Sequence, residues 1–121
     1  MQFDTNAPIY LQIADHLCDL IIAGHYGDGE RVPSVRDLAV ELEVNPNTVV
    51  RSYTHLLEQG VLENQRGIGY FAAKDAVKTI KALKRTFFYQ KKLPALVKTM
   101  KALDISVEDL VNSIGAYHET L

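Results

Sequence analysis

A short run of polar side chains near the middle of the chain is the first feature that suggests a chemical role. Asn45, Asn47, Thr48 and Arg51 lie close together around Pro46. Asparagine and arginine are the side chains that pair bidentately with the edges of adenine and guanine. An ordinary surface helix more often carries glutamate, lysine or alanine at such positions. The run is therefore either a segment that contacts base edges or a capped surface helix, and its surroundings must decide.

The remaining reactive side chains show no spacing typical of a catalytic or metal site. The four histidines are isolated in the sequence, and Cys18 is the single cysteine. A zinc site requires ligands at short, recurring intervals, and a disulfide framework requires paired cysteines. We therefore expect a protein that is not an enzyme and that needs no metal and no cofactor.

The net charge of −2 is distributed unevenly along the 121 residues. Residues 1–73 contain four arginines, no lysine and ten acidic residues, a net charge of −6. Residues 74–121 contain nine basic and five acidic residues, a net charge of +4. Arginine is the side chain best suited to phosphate groups and guanine edges, so the positions of the four arginines matter more than their number.

Nothing in the chain predicts export or membrane insertion. No run is apolar and long enough to span a bilayer, and the first residues lack the basic and apolar regions of a signal peptide. A single cysteine also fits a reducing compartment. We expect a soluble, cytoplasmic protein with no membrane partner, made of one ordinary domain or of a small domain with an appendage.

The apolar spacing predicts three helices in the first part of the chain. The first extends from Pro8 to Ala23, and the second begins at Ser34, whose hydroxyl can cap it. The third begins at Asn45 as its N-cap, has a proline at its first position, and ends at Gly60. The tight turn between the second and third helices matches the spacing of a helix-turn-helix motif.

Two short extended segments follow the third helix. Residues 61–66 and 68–72 flank Gly67 and predict a small hairpin with Arg66 and Gly67 at its tip. A hairpin in this position, directly after a helix-turn-helix, is a wing.

Helical patterning returns in the tail of the chain. Ala76, Ile80, Leu83 and Phe87 recur at alternating spacings of four and three, as in a coiled-coil seam. A tail of residues 74–121 is small for an independent core, so we expect this seam to pair two copies of the chain.

Two further features of the tail are open at this stage. Pro94 must break or kink its helix, since proline removes a backbone hydrogen bond and clashes with the preceding turn. The aromatic group Phe87–Tyr89 fits either core and dimer packing or a pocket for an unidentified small-molecule effector.

Five segments form an ordered set of motifs: Pro8–Ile13, Val32–Ala39, Val44–Val49, Leu57–Leu62 and Arg66–Phe71. With these motifs, residues 8–73 resemble the winged-helix domain of the GntR family of bacterial transcription regulators. The short tail and the Asn-Pro-Asn-Thr sequence look most like the YtrA subfamily. That subfamily typically carries a small helical dimerisation tail in place of a large effector domain.

The resemblance implies a DNA-contacting surface on the second helix, the third helix and the wing. Arg36 would lie on the DNA backbone or a base edge, the start of the third helix in the major groove, and the wing near the minor groove. Many family members carry arginine at the positions of Pro46 and Val50, where this chain has none. Arg51 lies one residue after Val50, about 100° around the helix, so it is expected at a phosphate and not at a base. The implied DNA-binding residues are Ser34, Arg36, Asn45, Asn47, Thr48, Arg51, Arg66, Gly67 and Gly69.

The sequence therefore predicts a mainly α protein with a small β-hairpin wing. Residues 1–73 would form a winged helix-turn-helix domain, and residues 74–121 a helical dimerisation tail. The expected function is that of a homodimeric transcriptional repressor that binds double-stranded DNA at an inverted-repeat operator. The alternative is a winged-helix module that binds another protein and no specific DNA. The predicted dimerisation residues are Ala76, Ile80, Leu83 and Phe87.

Overall fold

The computed structural model describes residues 7–120, which divide into two compact units. The first unit ends at Ala82 and the second begins at Leu83, so the division lies inside a helix. The boundary expected between residues 73 and 74 lies earlier, at the end of the hairpin. The two positions differ because the helix after the hairpin contributes its first turns to the core of the first unit.

Three helices build the first unit: α1 (Ile9–Ile22), α2 (Val35–Leu42) and α3 (Pro46–Glu58). The Ser34 hydroxyl caps α2 by accepting a hydrogen bond from the backbone N–H of Asp37 at 3.1 Å. Each helix lies where the apolar spacing predicted it, so the predicted helix-turn-helix arrangement is confirmed.

Strands β1 (Leu62–Gln65) and β2 (Gly69–Ala72) form an antiparallel hairpin, which confirms the predicted wing. Gln65 lies opposite Gly69, so the residues between them make the turn. Gly67 lies in this turn at φ +79°, a left-handed conformation that glycine adopts without strain.

A short extended segment before α2 pairs with β2 along its other edge. Arg31 forms an isolated antiparallel bridge with Phe71, and the Val32 N–H donates to the Tyr70 carbonyl at 3.0 Å. The wing is therefore tied at its base to the segment that leads into α2.

The core of the first unit lies between its helices, and Ile13 and Val49 are fully buried in it. Helix α4 (Ala76–Phe87) begins against the same core, where Ala76 and Ile80 are each only 1% exposed. This corrects the assignment of these two residues to a dimer seam, since their own chain already covers them. A spacing of four and three shows that a helix face is buried, but not which chain buries it.

The second unit continues α4 through a π-helical segment, Phe88–Lys92, into α5 (Leu93–Ala102), and ends with α6 (Val107–Thr120). Pro94 lies in the first turn of α5, and the helical backbone continues through it. Of the two expected outcomes, a break or a kink, the break does not occur. The π-helical turn widens the backbone where the prolyl ring would meet a carbonyl of the preceding turn.

Most apolar side chains of the second unit are exposed in the single chain. Within its described residues only Met100 is buried. The exposed large apolar residues are Leu83, Phe87, Phe88, Tyr89, Leu96, Val97, Leu103, Ile105, Val107, Val111, Ile114 and Tyr117. Across residues 7–120, every helix falls short of the length and hydropathy that a bilayer crossing demands.

Tyr53 fixes α3 against the rest of the first unit. Its side chain is fully buried, its hydroxyl donates to the Pro33 carbonyl at 2.6 Å, and its ring meets the ring of Tyr70 edge-on with centroids 4.8 Å apart. Burial raises the pKa of the Tyr53 phenol far above its ordinary value, and the nearby Tyr26 and Tyr70 add to the rise.

Tyr53→Phe should lower the free energy of unfolding by about 1–2 kcal/mol near neutral pH, because the Pro33 carbonyl loses its buried donor. Above about pH 10 the unfolded chain releases the Tyr53 proton and the folded chain keeps it, so wild-type stability falls with rising pH. The difference in unfolding free energy between wild type and variant should therefore be smaller at alkaline pH.

Urea unfolding at about pH 8 and about pH 11 measures this change. Tyr117→Phe is the matched control, since the same hydroxyl is removed from a side chain that is 73% exposed, and it should change stability little. An equal loss for Tyr53→Phe at both pH values would contradict the proposed titration of Tyr53.

Candidate nucleic-acid interface

A cap holds the start of α3 and sets the direction of its polar side chains. The Asn45 side-chain oxygen accepts the backbone N–H of Asn47 at 2.8 Å, and Pro46 occupies the first helical position. A bidentate contact with adenine needs both the oxygen and the nitrogen of the amide. Both side chains are exposed, but the oxygen of Asn45 is engaged in the cap. Asn47 is therefore the better placed of the two for a base edge.

Four exposed residues follow one another along the outside of α3: Asn47, Val50, Arg51 and Thr54. We call this row the outer face of α3. Their spacing places them within about 100° of arc around the helix, opposite the side that packs in the core. Val50 and Thr54 were not among the predicted site residues, although they follow Asn47 at intervals of three and seven. Thr48 lies at the flank of this face and is half-buried.

The charge along the outside of α3 changes sign between its two ends. Arg51 is a cation near the middle of the helix, and Glu58 is an exposed carboxylate one turn beyond Thr54. A carboxylate repels phosphate, whereas a helix N-terminus attracts it through free N–H groups and the helix dipole. The N-terminal half of α3 is therefore the part suited to a polyanion.

Arg51 is held against the beginning of α1. Its guanidinium lies 3.9 Å from the centroid of the Tyr10 ring, within the range of a cation–π interaction. His55 meets the same ring edge-on, with centroids 6.2 Å apart. Beneath this stack, the buried Ser52 hydroxyl donates to the Tyr10 carbonyl at 2.7 Å, and the Thr48 carbonyl lies 3.1 Å from the same oxygen. The exposed guanidinium is consequently oriented by the fold and does not depend on the α3 backbone alone.

A second arginine lies against the wing, besides the one in its turn. Arg66 is exposed in the turn, and the side chain of Arg31 lies across Gly69, where a β-carbon would be 2.9 Å from the Arg31 Nε. Gly69 has φ +149°, a conformation that side chains rarely adopt. The sequence indicated only that Arg31 precedes the second helix, because its bridge to Phe71 is not visible in any local pattern.

The other predicted residues lie on α2, where Ser34 caps the helix and Arg36 is exposed in its first turn. The structure thus distributes the predicted set over three elements of one unit, namely α2, α3 and the wing. Among residues 7–120, no group of histidine, cysteine, aspartate and glutamate is arranged to hold a metal ion.

Comparison with known proteins identifies this arrangement. A family model described as "Bacterial regulatory proteins, gntR family" matches residues 9–71, more than half of the chain. The chain belongs to the GntR family. A crystal structure of a GntR-family protein from Bacteroides thetaiotaomicron is 38% identical, covers 93% of this chain and 98% of its own, and superposes with a TM-score of 0.81.

Two proteins of Bacillus subtilis (strain 168) are similar to different extents. YhcF, an uncharacterized HTH-type transcriptional regulator, is 36% identical over 98% of this chain and 96% of its own length. The HTH-type transcriptional repressor YtrA is 37% identical over 63% of this chain and 58% of its own length. GntR-family transcriptional regulators bind DNA, and these relatives are regulators and not enzymes.

Gly69→Ala should lower the free energy of unfolding by about 1–3 kcal/mol, because alanine is strained at this φ. The new β-carbon should also push the Arg31 guanidinium aside, at small extra cost, since that group ends a flexible side chain. Adding Arg31→Ala should therefore leave the loss nearly unchanged. Urea unfolding of the single and double variants tests this, and a double variant that regains most of the stability would mean that Arg31 is rigidly held.

Proposed function

We propose that the chain is a sequence-specific, homodimeric transcriptional repressor of the YtrA-like subfamily, which binds an inverted-repeat operator in the cytoplasm. The observation that carries the proposal is the outer face of α3. An exposed row of Asn47, Val50, Arg51 and Thr54 stands on a capped helix whose opposite side is fully packed. A helix presented in this way can enter the major groove, where each base pair shows a distinct pattern of donors, acceptors and methyl groups.

The predicted residues divide by the kind of contact that each can make. Asn47 would bind the edge of an adenine. Arg36, Arg51 and Arg66 would bind phosphates, and Gly67 would let the wing backbone approach the DNA closely. Gly69 would make room for the Arg31 guanidinium beside the wing. Three further residues mainly position the helices. Ser34 and Asn45 are helix caps, and Thr48 is half-buried.

The net charge of −6 over residues 1–73 does not oppose this function. Affinity for DNA follows the phosphates that are neutralised locally, and the counterions that are then released, more than it follows total charge. Arg36 lies on α2 and Arg51 on α3. Arg66 lies in the turn of the wing, and Arg31 lies in the segment that bridges to β2.

The repressor role and the dimer have separate support. YtrA, which is described as a repressor, is similar over 63% of this chain, and we carry its role over on that basis. The second unit, from Leu83 onward, exposes nearly all of its large apolar side chains when alone. Two copies that pair across a two-fold axis would cover these faces with one another. We assign Phe87, Phe88 and Tyr89 to this contact and not to an effector pocket.

The first experiment compares Asn47→Ala with Arg66→Ala on a duplex selected by the wild-type protein from a randomised pool. Asn47→Ala should weaken binding to the selected duplex by roughly 1–3 kcal/mol and leave binding to an unrelated duplex nearly unchanged. Arg66→Ala should weaken binding to both duplexes, and should reduce the slope of log affinity against log salt by about one ion.

The same experiment separates the proposal from a winged-helix module that binds another protein. Failure of the wild-type protein to enrich any sequence, or salt-independent binding to duplex DNA, would favour that alternative. Equal affinities of wild type and Asn47→Ala for the selected duplex would remove Asn47 from base recognition.

Leu83→Asp should convert the dimer into a monomer, because it places an unpaired charge in the apolar contact. Ala82→Asp is the matched control, since it adds the same charge to an exposed neighbour about 100° around the helix. Sedimentation equilibrium measures the masses. Footprinting should show half-site centres about 10 bp apart, or a multiple of that, for wild type and Ala82→Asp but not for Leu83→Asp. A monomeric wild-type protein, or a footprint without two-fold symmetry, would contradict this role of the second unit.

A further inference from the structure

One side chain on the outer face of α3 differs in kind from the others. Val50 is apolar and is 44% exposed, while Asn47, Arg51 and Thr54 are polar. Isolated apolar residues on a protein surface are common, so exposure alone says little. The exposure of Val50 is more informative, because the residue lies in the middle of a face that would contact base edges.

Helix stability does not explain why valine stands at this position. Valine restricts its own χ1 rotamers in a helix and has a lower helix propensity than alanine, glutamate or lysine. Asn47 and Thr54 are also weak helix formers, so three of the four outer-face residues work against the helix that carries them. Nor can the packing of Val50 in this unit explain it, because nearly half of the side chain is open to solvent.

The geometry of the face indicates what an apolar group could contact there. Val50 follows Asn47 by three residues, so the two side chains are neighbours one helical turn apart. The major groove has one apolar feature, the C5-methyl group of thymine, and small apolar side chains are the ones that contact it. An adenine bound by Asn47 brings a thymine into the same base pair, and neighbouring pairs can bring others.

We propose that Val50 is a specificity-determining residue that packs against the C5-methyl group of an operator thymine. The inference rests on the proposed DNA-binding function and adds to it the base that Val50 selects. A protein partner is a poorer fit, since one valine between an asparagine, an arginine and a threonine offers too little apolar area for docking.

The experiment uses the full-length protein and the duplex that it selects from the randomised pool. Each thymine of a half-site is replaced in turn by deoxyuridine, which lacks only the methyl group. At one thymine, this replacement should lower the affinity of the wild-type protein about fourfold, which is the effect of one buried methyl group. When the thymine is replaced in both half-sites of a dimer site, the affinity should fall about sixteenfold.

Val50→Ala should bind the thymine and deoxyuridine duplexes with equal affinity, because the partner of the methyl group is gone. The variant should be at least as stable as wild type, since alanine favours the helix and the side chain is exposed, so that unfolding cannot imitate the result. Val40→Ala, which truncates a valine that is 74% exposed on α2, is the matched control and should keep the wild-type sensitivity.

Two results would overturn the inference in different ways. If no thymine shows a methyl effect that Val50→Ala abolishes, Val50 does not contact a thymine methyl, and the proposed regulator function stands. If the wild-type protein selects no sequence from the pool, the proposed function fails and the inference fails with it.

Discussion

Two adjacent hydroxyl groups on the buried side of α3 hold this helix in place, and the candidate interface depends on them. Ser52 donates to the Tyr10 carbonyl at the start of α1, and Tyr53 donates to the Pro33 carbonyl before α2. Both side chains are fully buried, so these bonds lie in a setting where an unmade hydrogen bond is costly. Because the bonds lead to two different elements, α3 is fixed both along its axis and around it. The outer face of α3 is thereby presented in one orientation.

The helices and the wing could be predicted from the sequence because their signals are local. The caps Ser34 and Asn45, the helical spacing of apolar residues and a glycine between two short extended segments each act within a few positions. The outer face of α3 was predicted only in part. Asn47 and Arg51 are conspicuous as polar groups, whereas Val50 and Thr54 draw attention only once their exposure is known.

The contacts that could not be predicted join residues far apart in sequence. The stacking of Arg51 on Tyr10 and the bridge between Arg31 and Phe71 are examples, since each depends on how the elements pack and not on any local pattern. The partner of the seam predicted in the tail could not be predicted for the same reason. The spacing of the seam did not distinguish Ile80, which is covered by the core of its own unit, from Leu83, which is exposed.

The missing side chain of Gly69 decides where the charge of Arg31 is held, because the guanidinium occupies the space that a β-carbon would fill. Two related proteins with the same arginines could therefore present different patterns of positive charge along their wings, if only one of them has glycine at this position. A count of basic residues would rank such proteins as equal. The residue at position 69 has to be considered together with the one at position 31 before the wings of two relatives are compared.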